Sequence, residues 1–338
     1  MKFFLFLLYS FFIVWNIQAK EPDQLIINRA IEGGLNIVQK GAGNYPNNRE
    51  CFSCHHQTLP MLAMREASEA GISIDEELMQ EQVHFIRDYF EDRMDSVAEG
   101  KSVGGRSLTA GYLLWSFELA GVKKDQFSDA FVSYLIHHQK KEGNWDVQTN
   151  RPPSEESKIH TSYFAIYYMN HYARGEEIET KVKEAIEKSR PWIIASKPLS
   201  QEDFNGKLKA LIALAAPAKE VKKARQGLLK NQQEDGGWAQ LPGMESDAYA
   251  TGQTLYTLVT TTVPSERNSE FIKAIKRARS YLIRTQKKDG SWFVKSRSKP
   301  IQKFFDNGDP HEKDQFISIS ATSWATAALA KSRIINTQ

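Results

Sequence analysis

Apolar residues recur at three- and four-residue spacing through most of this chain, and they describe two kinds of helix that take turns. Charged, one-sided stretches run over about Asp23–Lys40, Asp75–Asp95, Asp125–Lys140, Glu176–Ala195, Ala218–Gln232 and Ser269–Gln286. Each is followed by a leaner, more apolar stretch: Thr58–Ala70, Thr109–Ala120, Thr161–Tyr172, Asp203–Ala215, Thr251–Val259 and Thr322–Ala330. Ser, Thr or Asp stands near the start of each leaner stretch, where a side-chain oxygen satisfies the free N–H groups of a first helical turn. No convincing run alternates with the period of a strand. The pattern predicts an all-α chain of about six helical hairpins, each a charged outer helix followed by an inner one.

A hairpin of this kind cannot bury its apolar face alone and must stack on its neighbours. Closing the stack gives a single α/α toroid, a double-walled barrel; an open solenoid is the alternative. Three joints share the pattern Q-x-x-x-G-x-W, at Gln139–Trp145, Gln232–Trp238 and Gln286–Trp292. Their Gly residues are helix stops that tolerate a left-handed backbone. Their Gln and Trp are expected to bond backbone ends and pack.

The first residues change the picture of where the chain works. Met1-Lys2, an apolar run over Phe3 to Ile17 and then Gln18-Ala19 read as a secretory signal peptide over 1–19, with an uncleaved anchor as the alternative. The toroid is then expected over 20–338, in an exported, periplasmic or extracellular protein with no further membrane span. A net charge of +3 with both signs interspersed argues against a nucleic-acid partner.

Candidate chemistry gathers at Cys51-Phe-Ser-Cys54-His55, the only cysteines of the chain. C-x-x-C-H is the attachment sequence of haem c, with two thioether bonds and an axial His. A disulfide or redox pair is an alternative, as is zinc held by Cys51, Cys54 and one of His55 or His56. If the barrel closes, all inner helices start at one rim. Cys54, His55, His160, Asp247 and the loop carrying His311 would then converge on one mouth, with helix N-termini that favour anionic groups such as haem propionates. His55 is the expected iron ligand on one side. His311, in a Gly-Asp-Pro-His turn, is the leading candidate on the other, and His160 the next. His56 is too close to His55 to reach the opposite face. Tyr112, Trp115, Tyr163, Tyr249 and Trp324 are expected on the inner wall.

The three Q-x-x-x-G-x-W segments resemble the repeats of the squalene–hopene cyclase, oxidosqualene cyclase and protein prenyltransferase superfamily. A C-x-x-C-H-H sequence near the start resembles that of exported bacterial proteins with these repeats. The resemblance implies an α/α toroid with an apolar or polyprenoid ligand. The cyclases carry their proton donor in a D-x-D-D motif at an inner-helix start, and the nearest segment here, Glu245-Ser246-Asp247, keeps one aspartate. Those enzymes also usually carry two barrels. The prenyltransferase zinc site uses Asp, Cys and His, which Asp247, His311 and the Cys pair imitate without an Asp-x-Cys sequence.

Three functions follow as expectations. The first is an exported haem c protein that transfers electrons to a redox partner or performs redox chemistry on a small apolar ligand. The second is a haem-free cyclase-like isomerase or polyprenoid-binding protein acting through Asp247. The third is a binding scaffold stabilised by zinc or a disulfide.

Overall fold

A computed structural model describes residues 23–148, 151–299, 303–333 and 335. The expected signal peptide lies outside the described residues. Among the described residues, six outer helices alternate with six inner ones. The outer set is α1 (Gln24–Asn44), α3 (Glu76–Phe90), α6 (Gln126–His137), α8 (Glu176–Ala195), α10 (Ala218–Lys230) and α12 (Ser269–Thr285). The inner set is α2 (Leu59–Glu69), α5 (Arg106–Leu119), α7 (Lys158–Tyr172), α9 (Gln201–Ala213), α11 (Ala248–Thr261) and α13 (Gln315–Ser332). A short α4 (Met94–Ala98) falls between α3 and α5 and has no counterpart in the sequence expectation. The described residues contain no strand, only isolated bridges at Arg151–Glu155 and Trp238–Asp247.

The two walls differ because their surroundings differ. Outer helices have water on one side, so α10 buries Arg225 and Leu228 and leaves its other charges outward. Inner helices have protein on all sides. Every residue of α13 except Phe316 and Lys331 is buried, and its run of Ala, Ser and Thr lets neighbours approach closely. A Cβ on Gly252 of α11 would stand 2.7 Å from the Ala325 amide nitrogen, so only glycine permits that crossing.

Each inner helix touches the next, and α13 returns to α2, which closes the ring. The repeated joints tie the outer wall. The Gln139 side-chain amide donates to the carbonyls of Gly143 at 3.0 Å and Ala185 at 2.7 Å. Gln232 does the same to Gly236 and Ala274, both at 2.9 Å. Each Trp of the motif is fully buried, and its indole N–H donates to the last turn of its own outer helix, at Leu135, Leu228 and Leu282. The motif is therefore structural.

Candidate functional site

The inner helices run in parallel, so their first turns share one mouth and their last turns the other. At the first mouth the chain enters α2 through one turn of π-helix, Cys54–Thr58, capped by Ser53. Such turns cost hydrogen-bond quality and recur at functional sites. Here the turn places two adjacent histidines on different sides. His56 is fully buried, stacked on Tyr45 with ring centroids 4.7 Å apart. His55 faces a rim cavity of about 90 Å³ bordered by Arg151, Glu155, Lys313 and Phe316.

The two rings belong to one hydrogen-bond chain. Asp309 N–H donates to Asn307 Oδ1 at 2.8 Å, which fixes the Asn307 amide with its nitrogen toward His56 Nε2. His56 Nε2 accepts, so its proton sits on Nδ1, which faces His55 Nδ1 at 2.5 Å. His55 Nδ1, which Ser53 Oγ also approaches at 2.8 Å, accepts in turn, leaving the proton on Nε2, 3.3 Å from the same oxygen. Burial keeps both rings neutral: it lowers His55 to a pKa of about 3 and His56 well below its usual value.

Cys51 and Cys54 are both free thiols. Cys51 Sγ lies 3.4 Å from the Tyr45 hydroxyl. Burial, then the Glu155 charge, pushes Cys54 up to about 12, so its thiol is no ready nucleophile. Two thiols and a neutral imidazole match haem c in kind. The arrangement as it stands does not match it in space: the cavity holds a few waters rather than a macrocycle, and iron on His55 Nε2 would require the proton to move to Nδ1, where Ser53 Oγ lies 2.8 Å away. No three His, Cys, Asp or Glu side chains converge as metal ligands among the described residues, so the fit to zinc is no better.

The other predicted residues are dispersed. His311 Nε2 pairs with Ser291 Oγ at 2.8 Å, and its ring packs on Phe293 at the third repeat joint. The residues of that loop that reach the Cys–His motif include Asn307, on His56 Nε2, and Phe305, whose ring lies 6.2 Å from that of His56. Asp247 caps α11, accepting the Ala250 N–H at 2.9 Å, and burial raises it to about 6. Its carboxylate serves the helix end rather than the bore.

His160 does face the interior, and it has a partner that sequence reasoning missed. Its Nδ1 lies 2.5 Å from Glu202 Oε1, with both side chains 1% exposed. Glu202 Oε2 accepts the Tyr249 hydroxyl at 3.2 Å. The contact lacks hydrogen-bond geometry, and both ring nitrogens of His160, Glu202 Oε1 and the Tyr112 hydroxyl have no hydrogen-bond partner in the protein. Buried polar atoms without a partner call for an explanation, and here several lie close together. Phe164 packs on His160 and Tyr112 on Phe164, each at 4.6 Å, and the aromatic row continues through Trp115 to Trp324 at 5.7 Å and on to Tyr256 at 5.7 Å. The wall aromatics sit where the sequence put them.

No protein-family model matches the chain, and no curated protein matches its sequence. Its fold is that of several solved structures. One is a type II terpene cyclase from Scytonema, MstE, in complex with its product merosterolic acid A, at 14% identity over 91% of this chain and 97% of that one, with a TM-score of 0.59. Another is a possible member of the GH105 family from Salmonella enterica, at 11% identity over 96% and 98%, with a TM-score of 0.60. A further possible GH105 member, from Klebsiella pneumoniae, has a TM-score of 0.57 at 12% identity over 96% and 98%. The class is the α/α toroid, as the repeats predicted. Neighbours described so differently share a scaffold, and the chemistry has to be read from the site.

Proposed function

We propose that this chain takes a polyprenoid-class ligand into its bore and isomerises it by acid catalysis, with Glu202 as the acid and His160 as its partner. The observation that carries the reading is the buried Glu202–His160 contact, packed among aromatic side chains of the inner helices. A carboxyl proton passes to one carbon of an alkene, whose π electrons form the new C–H bond. The next double bond closes a ring on the resulting cation, and loss of a proton from carbon gives a product of unchanged mass. The rings of Tyr112, Trp115, Phe164 and Trp324 favour positive charge through their π faces. The Tyr249 hydroxyl holds the carboxyl in place, and His160 offers Nε2 as a return site for the proton. The terpene cyclase fold adds to this reading, and Glu202 replaces Asp247 as the acid. Geranylgeraniol incubated with the purified protein is expected to yield cyclic isomers, lost in Glu202→Gln and kept in Asp247→Asn. Absence of any isomer with the parent protein would overturn it.

A second reading rests on the two free thiols: covalent haem on Cys51 and Cys54, with His55 as axial ligand, in an exported protein with a redox partner. It requires the 151–155 and 296–299 segments to open and the histidine chain to reverse. Intact mass after expression with haem-attachment machinery decides it. A haem adduct lost in Cys54→Ala supports the reading, and two free thiols refute it.

A further inference from the structure

The bore has a second polar group that the acid chemistry leaves unused. Lys209 stands on α9, two turns beyond Glu202, and is 8% exposed. Its Nζ lies over three rings from three other inner helices: Tyr163 at 5.5 Å, Tyr256 at 5.7 Å and Trp324 at 5.4 Å. It lines a cavity of about 260 Å³ that opens at the far mouth, among the last turns of α5, α7, α9 and α11. It makes no hydrogen bond or ion pair among the described residues, and burial lowers it to a pKa of about 8.

The carboxylates around it are already engaged. Glu118 accepts the hydroxyls of Tyr167 at 2.9 Å and Tyr168 at 3.2 Å. Glu66 accepts the Tyr256 hydroxyl at 2.7 Å and pairs with Lys331 at 2.9 Å. Glu202 accepts the Tyr249 hydroxyl and lies against His160. Lys209 is thus a buried cation with no direct ion pair, lining space a ligand can enter.

We propose that Lys209 binds the carboxylate head of an amphipathic prenyl acid whose chain runs along the aromatic wall. One amine matches one negative charge. A diphosphate brings more negative charge than one amine offsets. Seven residues of helix separate Lys209 from Glu202, about 10 Å, which sets how far along the chain the reacting double bond lies. The proposal rests on the reading of the bore as a prenyl-ligand chamber and adds the head group to it.

Quenching of tryptophan fluorescence by geranic acid, geraniol and geranyl diphosphate tests the proposal, with Trp115 and Trp324 in the wall as reporters. Geranic acid is expected to bind at least ten-fold tighter than geraniol. Lys209→Met should abolish that preference while keeping geraniol binding, and Lys209→Arg should keep it. Retained geraniol binding also shows that the Met variant is folded. Equal affinities in the parent protein, or an unchanged preference in Lys209→Met, overturn the head-group assignment alone. Tighter binding of the diphosphate overturns the carboxylate. Binding of none of the three removes both this proposal and the chamber reading beneath it.

Discussion

The side-chain amide of Gln286 donates to the carbonyl of Ala30 at 2.8 Å, joining residues 256 apart in sequence. In the two earlier repeats the same Gln reaches the next outer helix along the chain; here the next helix is the first. The toroid closes by reusing its own joint. Gly290, with φ at +94°, makes room: a Cβ there would lie 2.4 Å from the Gly33 carbonyl oxygen.

Gly290→Ala should therefore cost more than a surface glycine replacement. Left-handed strain alone is on the order of 1–3 kcal/mol, and the collision pushes α1 away from the seam. Gln286→Ala should cost about 1–3 kcal/mol for the buried carbonyl it leaves bare. Urea unfolding of each variant checks this. Hydrogen exchange should rise first in α1 and α12, and equal protection in parent and variant would contradict a seam at this joint.

Asn307→Ala should disturb the histidine chain rather than the fold. His56 Nε2 loses its donor, so both rings become free to exchange tautomers. Two-bond proton–nitrogen correlation spectra of labelled histidine should show His56 protonated on Nδ1 and His55 on Nε2 in the parent. In the variant each should show a mixture. A His55 already protonated on Nδ1 in the parent would reverse the argument against iron ligation.

The hairpin rhythm was legible because water touches one wall only: outer helices keep Lys and Glu on one side, and inner helices cannot. The same rule contains the signal for the missed residues. Glu202, Asn205 and Lys209 share one stripe of α9 at three- and four-residue spacing, and α9 occupies an inner slot with no solvated face. Read as a free helix, the stripe looks like ordinary surface. Read as an inner helix, it has nowhere to point but the bore or a neighbouring wall, and Lys209 and Glu202 take the bore. Asn307 was not legible, because its contact with His56, 251 residues away, exists only once the ring is closed. The first seven residues of α13 were missed for a smaller reason. Ser318 and Ser320 look like a break, yet Ser318 accepts the Val294 N–H and Ser320 donates to the Phe316 carbonyl.

Asp309 supplies a pH signature. Burial raises its carboxyl from 3.8 to about 7, so the folded chain holds a proton that the unfolded chain releases. The contribution of this group is most favourable below about 4, falls as pH rises toward 7, and is flat above. An Asp309→Asn variant keeps a side-chain oxygen for the His311 N–H, which Asp309 accepts at 3.0 Å. The stability of the parent relative to this variant should therefore decline between about pH 4 and pH 7. Comparing the two cancels the opposite slope of His55 and His56, which favour the folded state as pH rises. A difference independent of pH would show that Asp309 titrates normally.

His160 and Glu202 should prove costly as a pair and costlier apart. Removing one partner of a buried polar contact leaves the other unsatisfied, at about 1–3 kcal/mol, whereas replacing both with apolar groups of similar shape is nearly neutral. Glu202→Leu and His160→Phe should each destabilise by that order, and the double variant by less than either. The coupling read from the four unfolding curves should exceed about 1 kcal/mol, as for groups in direct contact. A structural pair would lose its value along with its members. A pair kept for chemistry should instead leave the double variant at least as stable as the parent and without isomerase activity. Additive single effects would mean that the 2.5 Å contact carries no energy, and the acid would then have to be sought elsewhere in the bore.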